Sequence, residues 1–335
     1  MDYSKGFTAS YDLTIVDPVS WRDISHHRLT AGTITRNTDL LMESADLDLT
    51  EVPEDGEVWV RVWMNARQEY SSESRIPLFT GLTTAPERKL TGKRESYPAS
   101  CYSVLKPAAD RLLPRGWYAP KNGNGAKLVK DLLSVGAAPV TAAENASALS
   151  SAIVAEDGET NLSMASKILT ATGWKIRIHG NGNITIQPKS TEVAVTFDAA
   201  SFDILEPSVT DQYDWYSCPN VFRAVSGSDY AVARDEDPES RYSIASRGRE
   251  IWMEETNCTL REGETLLSYA KRRLKEEQMP SRTISYDRRY VPDIFPGDLI
   301  RLNYPEEKIS GTFEIRSQNI TLGFAGKTSE EVIEV

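Results

Sequence analysis

The chain holds three histidines, His26, His27 and His179, the side chains best suited to bind a metal or move a proton near neutral pH. Adjacent residues on a strand point to opposite faces, so His26 and His27 do not share one ion. His179 falls at a hairpin turn, where a polar residue is expected. The run RDEDPESR (234–241) gathers carboxylates. Acid–base catalysis by a carboxyl pair needs the two on opposite sides of a substrate, about 5–9 Å apart, with one desolvated. A consecutive run beside Pro238 reads instead as an exposed turn. The stretch NGNGAK, with Gly123 and Gly125, looks like half of a phosphate loop. It lacks the G-K-[ST] ending and a preceding buried strand, so it reads as a turn that starts a helix.

Three cysteines, Cys101, Cys218 and Cys258, are odd in number and have no C-x-x-C spacing. They indicate reduced thiols rather than a disulfide framework or zinc site. No G-x-S-x-G, H-E-x-x-H or cysteine–histidine pattern is present. The expectation is a protein that is not an enzyme, with no catalytic residue, cofactor or metal. The run KRRLK (271–275) is followed by Glu276 and Glu277, which suits a solvated or inter-subunit helix face better than a nucleic-acid patch. Trp59 and Trp63 flank Arg61 on one strand face and form a candidate interface. They could touch protein or sugar, or be a second strand face that an oligomer covers.

Composition is that of a soluble globular protein: 335 residues, 40% apolar, 26% charged. The length allows two or three domains. A net charge of −11, from 38 basic and 49 acidic residues, argues against a surface that holds nucleic acid by its phosphates. No stretch approaches the ~20 apolar residues of a membrane span. The first residues, MDYSKGFTASYDL, contain no apolar signal-peptide core.

The elements expected to carry these residues are mostly strands. Residues 1–97 read as short strands. In EVWVRVWMN, Val58, Val60, Val62 and Met64 line one face; Trp59, Arg61 and Trp63 line the other. PLFTGLTT is expected to bend or bulge at Gly81. Residues 98–190 mix helix and strand: a short helix within 104–113, a helix in 123–136, and a helix that Thr160 caps and Gly173 ends. A hairpin follows, reversed by Gly-Asn-Gly-Asn, with Trp174, Ile176, Ile178, Ile184 and Ile186 on one face. Residues 191–335 return to strand, with one helix at about 262–278 that Pro280 stops. Near the end, Pro296, Gly297 and Asp298 form a turn that sets the register of a strand. Ile300 and Leu302 on that strand, with Phe313 and Ile315 behind, are expected to line a barrel core. Ile320 and Leu322, on a further strand, close over the same core.

The order of these parts resembles the baseplate hub proteins of phage tails, the late-control hub proteins and the hub part of type VI secretion spike proteins. The resemblance rests on EVWVRVWMN with PLFTGLTT, on ETNLSMASKILTATGWKIRIHGNGNITIQP, on CPNVFRAVSG, on TLLSYAKRRL, and on PGDLI with GTFEI, in that order over most of the chain. The GREI stretch keeps the family's glycine but lacks the Tyr-Gly before it. The resemblance implies a mainly β fold with an α+β middle domain and two β-barrels per subunit related to the tail tube: 1–97, 98–190 and 191–335. It also implies a homotrimeric ring that presents six barrels to a six-fold tube. Its partners would be a tail-tube or distal-tail protein above, a spike or cell-puncturing protein below, and a tape-measure protein. DNA would pass through without being bound, and negative charge suits such a channel. The place would be the tail tip of a particle assembled in the host cytoplasm. Rival readings are a cell-wall lysin, whose domain would usually be an added C-terminal one, and a glycan-binding adhesin using Trp59 and Trp63.

Overall fold

The computed structural model describes residues 3, 5–49, 56–68, 73–84, 87–91, 94–143, 148–199, 209–256, 258, 264–278, 281–323 and 326–335. The fold is mainly β: of the described residues, 49% are in strands and 14% in helices. In chain order the strands are β1 (Thr8–Val16), β2 (Asp23–Asn37), β3 (Glu43–Leu49), β4 (Trp59–Arg67), β5 (Ser74–Thr83), β6 (Lys89–Thr91) and β7 (Arg94–Ser103). Next come α1 (Lys106–Asp110), β8 (Tyr118–Ala119), α2 (Gly125–Leu133), β9 (Val140–Ala142), β10 (Ile153–Val154), α3 (Asn161–Thr172), β11 (Trp174–Ile178) and β12 (Ile184–Pro188). The remainder is β13 (Val193–Asp198), β14 (Thr210–Asp214), β15 (Val221–Ser226), β16 (Asp229–Arg234), α4 (Ile244–Arg247), β17 (Trp252–Thr256), α5 (Leu266–Glu277), β18 (Ser281–Arg288), β19 (Leu299–Tyr304), β20 (Ile309–Leu322) and β21 (Thr328–Glu334).

The chain divides into two compact units. One comprises Met1–Val209 and Ser285–Ile333 with Val335, the other Thr210–Ile284 with Glu334. This differs from a division at 97 and 190, and strand pairing is the reason. β2 pairs with β20 from Gly32↔Leu322 to Asn37↔Ser317, which joins the first strands and the last in one sheet. The core beneath them mixes Leu13, Val60, Val62, Phe79 and Cys101 with Ile320 and Leu322.

Within the first unit, hydrogen-bonded neighbours run β1-β4-β5-β7-β3-β2, and β2 pairs back to β1, so the path closes on itself. From β2 the sheet continues through β20 to β21 and β18, while β20 also pairs with β19 and β19 with β13. β20 is one strand where two were expected. Its buried positions change from odd (Ile309, Phe313, Ile315) to even (Gln318, Ile320, Leu322), so its two halves turn opposite faces inward. Ile320 and Leu322 therefore do not share a strand face with Phe313 and Ile315. The irregularity in β5 also lies elsewhere than expected: the register shift leaves Leu78 as the extra residue. Gly81 has a different constraint, since a Cβ there would lie 2.3 Å from the Tyr102 carbonyl oxygen.

Residues 106–188 pack α2 and α3 against β11 and β12 around Val129, Leu132, Leu162, Ile168, Ile176 and Ile186. Both helices have local start signals. Asn124 accepts a hydrogen bond from the Lys127 amide, and Thr160 one from Ser163. Gly173, at φ +70°, ends α3 in the left-handed conformation that glycine adopts without strain. In β11, Trp174, Ile176 and Ile178 are buried, which leaves Lys175 and Arg177 on the other face.

The second unit holds a three-stranded sheet, β16-β15-β17, with α5 over Phe222, Ala224 and Ala233. These strands and α5 pack together around one small core. Thr265 and Ser268 form a capping box at the start of α5. Pro280, expected to stop α5, and positions 261–263 at its expected start lie outside the described residues.

Candidate functional site

Buried polar chemistry gathers in the first unit, where the β11–β12 hairpin meets the turn before β19 and the outer face of β4 and β5. The turn is Phe295-Pro296-Gly297-Asp298. The Asp298 amide donates to the Phe295 carbonyl at 3.0 Å, and Gly297 has φ +82°, as a type II turn requires. The turn is anchored to β20: the Gly297 amide donates to the Ile315 carbonyl at 2.7 Å, and the Ile315 amide to the Asp298 carbonyl at 3.0 Å. Beyond it, Ile300 pairs with Phe313 and Leu302 with Gly311. Ile300, Leu302, Phe313 and Ile315 are all buried.

The Asp298 side chain does not bond its own backbone two residues on. Oδ2 accepts from the Phe295 amide at 3.1 Å. The carboxylate also accepts from Lys175 Nζ at 2.8 Å and from Arg177. Lys175 Nζ donates further to the Gly297 carbonyl at 3.0 Å. A buried carboxylate is tolerable only when paired and hydrogen-bonded, and Asp298 has both. Lys175 and Arg177 were not singled out in the sequence. The signal was the alternation of WKIRI, which puts two cations on the face away from the helices.

The ring of Phe295 lies against two guanidinium groups, Arg36 at 4.8 Å and Arg177 at 4.9 Å. Arg36 is buried, donates to the Leu78 carbonyl, and lies 3.7 Å from Glu43. Burial pushes the Glu43 carboxyl up to about 8, against the pull of Arg36. Its Oε1 accepts no hydrogen bond among the described residues. His179 packs edge-on to Phe295, and burial, with Arg177 nearby, lowers its basicity.

The Gly180-Asn181-Gly182 tip of the hairpin sits on β4 and β5. Arg61 is buried there and donates to Asp23 at 2.6 Å, to Thr80 Oγ1 at 3.0 Å and to the Asn181 carbonyl at 3.0 Å. Trp21 Nε1 donates to the same carbonyl at 3.0 Å, and Thr80 Oγ1 to the Gly180 carbonyl at 2.8 Å. A Cβ on Gly180 would lie 1.9 Å from the Pro77 carbonyl oxygen. The glycine is thus required by close backbone approach. Trp59 packs edge-on against Trp21 at 5.4 Å. Trp63 donates to Thr14 and Asp23, both at 3.0 Å, and carries the Arg75 guanidinium at 4.2 Å. The candidate interface Trp59, Arg61 and Trp63 therefore has partners within its own chain.

The remaining candidates have ordinary surroundings. His27 bonds Ser25 at 3.1 Å on β2. Among the described residues no group of three or more His, Cys, Asp or Glu is placed to hold a metal. Gly123 and Gly125 flank Asn124, the cap of α2. Asp235 accepts from the Asp237 amide, Ser240 and Gln278, and Asp237 from the Glu239 amide. Burial raises the Cys101 thiol to about 12. In the KRRLK run, Arg272 pairs with Glu264 and Glu276, and Arg273 with Glu255, Glu276 and Glu277.

No protein-family model matches the chain, and neither does any curated protein. Solved structures do. A 43 kDa tail protein of prophage MuSo2 from Shewanella oneidensis aligns over 97% of both chains with TM-score 0.64 and 14% identity. A tail protein of Neisseria meningitidis aligns over 97% of both with TM-score 0.67 and 14% identity. A component of the type VI secretion system of E. coli, described as similar to tail proteins of bacteriophage T4, aligns over 96% of this chain and 76% of its own, with TM-score 0.53 and 10% identity. The chain has the fold of phage tail proteins.

Proposed function

We propose that this chain is a structural baseplate hub of a phage tail or phage-tail-like particle, a trimeric ring that joins the tail tube to a central spike around a channel. The observation that carries the proposal is the likeness to two tail proteins, one of them from a prophage, over 97% of both chains in each case. The closed strand path through β1, β4, β5, β7, β3 and β2 supports reading the first strands as one tube-related barrel. β13, β19, β20, β21 and β18 would then form the second, with residues 98–190 as an α+β domain between them. Ring assembly would use sheet edges that are a liability in a monomer. A net charge of −11 favours a channel through which DNA slides without sticking.

The partners are a second and third copy, a tube or distal-tail protein above, and a spike below; a tape-measure protein would occupy the channel during assembly. The rival readings draw less support. Trp59 and Trp63, which an adhesin would use, are engaged within the chain. The carboxylates of the acidic run that acid–base chemistry in a lysin would draw on, Asp235 and Asp237, accept bonds from their own turn.

Immunogold electron microscopy of particles carrying a tagged copy tests the location. Label should gather at the tail tip, and particles made without this chain should lack a baseplate. Label along the tube, or normal baseplates without the chain, would overturn the proposal.

A further inference from the structure

We infer that an aromatic, arginine-lined cleft in the second unit receives an acidic surface of a neighbouring copy of this chain. The inference rests on the ring reading above. The cleft has a volume of about 550 Å³, and Tyr213, Trp215, Tyr216, Arg241, Arg247 and Arg249 are among its walls. Its rings are open to solvent: Tyr213 is 49% exposed, Trp215 59% and Tyr216 64%. Exposed aromatics gathered in one concave place are unusual on a monomer and mark contact surfaces. Trp, Tyr and Arg are the residues enriched where binding energy concentrates.

The cleft is held in shape by its own arginines. Arg247 Nη1 donates to the Cys218 carbonyl at 2.7 Å, and its Nη2 to the Trp215 carbonyl. Arg249 Nη2 donates to the Tyr216 carbonyl at 3.2 Å, and its guanidinium lies 4.2 Å from the Tyr216 ring centre. Arg247 likewise lies 5.1 Å from the ring of Tyr242. A surface ordered before binding loses less entropy when a partner arrives. Arg241 is exposed and makes no hydrogen bond or ion pair among the described residues.

Charge identifies the occupant. Three arginines and no carboxylate line the cleft, in a chain whose net charge is −11. Copies this acidic repel one another, and a ring of them needs a place where opposite charge meets. The cleft supplies the positive half, and the acidic surface of the next copy the negative half. The contact is heterologous, as a cyclic trimer requires.

Sedimentation velocity of the full chain tests this, on wild type, Arg241→Glu and Trp215→Ala. Both side chains are exposed, and circular dichroism with thermal melting checks that each variant folds. Trp215→Ala should weaken trimer formation on the order of 30-fold, and Arg241→Glu about tenfold or more. Wild-type association should also weaken as salt rises. Folded variants that trimerise like wild type would overturn the inference and leave the ring intact. A wild type that is monomeric throughout would remove the ring and the inference together. Polygalacturonate that binds wild type but not Arg241→Glu, with trimers unchanged, would assign the cleft to an anionic glycan and overturn it as well.

Discussion

Lys175 and Asp298 lie 123 positions apart and meet with Nζ 2.8 Å from Oδ1, one cation of a middle hairpin on the buried carboxylate of a turn near the end of the chain. Arg177 completes the group from the same strand. The contact fixes the β11 hairpin to the turn that starts β19.

Asp298→Asn should therefore destabilise the first unit strongly, because it leaves two cations facing a neutral amide. Breaking a buried pair costs about 3–5 kcal/mol. Lys175 and Arg177 are partly accessible, so the lower end is expected. Urea unfolding should show the loss as a lower midpoint at unchanged slope.

Gly180→Ala should cost about 1–3 kcal/mol through overpacking. Its Cβ would meet the Pro77 carbonyl oxygen at 1.9 Å, and backbone has to move to admit it. Thermal unfolding measures the loss.

The register of β19 against β20 is tested by Gly297→Val and Leu302→Asp. Gly297 holds φ +82°, so valine there should cost on the order of 1–2 kcal/mol in turn strain. Leu302 is 1% exposed, and aspartate there buries a charge with no partner, which should cost on the order of 4 kcal/mol or more. Both should lower the yield of assembled particles, and Leu302→Asp the more.

Stability should depend on pH through Glu43. Its folded value is about 8 and its reference value 4.5, so the folded state holds a proton that the unfolded state has lost. The contribution is complete below the reference value and is lost as pH rises toward 8. Glu43→Gln, neutral at every pH, should flatten that fall. Urea titrations of both proteins from pH 5 to 8 check it; parallel curves would mean that Glu43 does not titrate in this window.

Much of this fold could be read from the sequence because local chemistry encodes it. The alternation of WVRVWMN places Val60, Val62 and Met64 in a core, and Thr160 and Gly173 mark both ends of α3. Contacts made by distant pairing could not be read. Nothing near Gly32 says that Leu322 will be its partner, so the shared sheet and the division into units stayed hidden. The same holds for the seam: Gly180-Asn181-Gly182 reads as a turn whether or not distant Pro77 lies against it, and Arg61 reads as exposed until Asn181 covers it. β20 shows a finer limit. A change of buried parity within one strand looks, in sequence, like the end of one strand and the start of another.

The mass of the purified chain in solution tests the ring most directly. Sedimentation equilibrium over a range of concentrations should give a particle three times the 37.3 kDa of one chain. A single 37.3 kDa species at every concentration, alone and with its co-expressed spike, would contradict a trimeric hub.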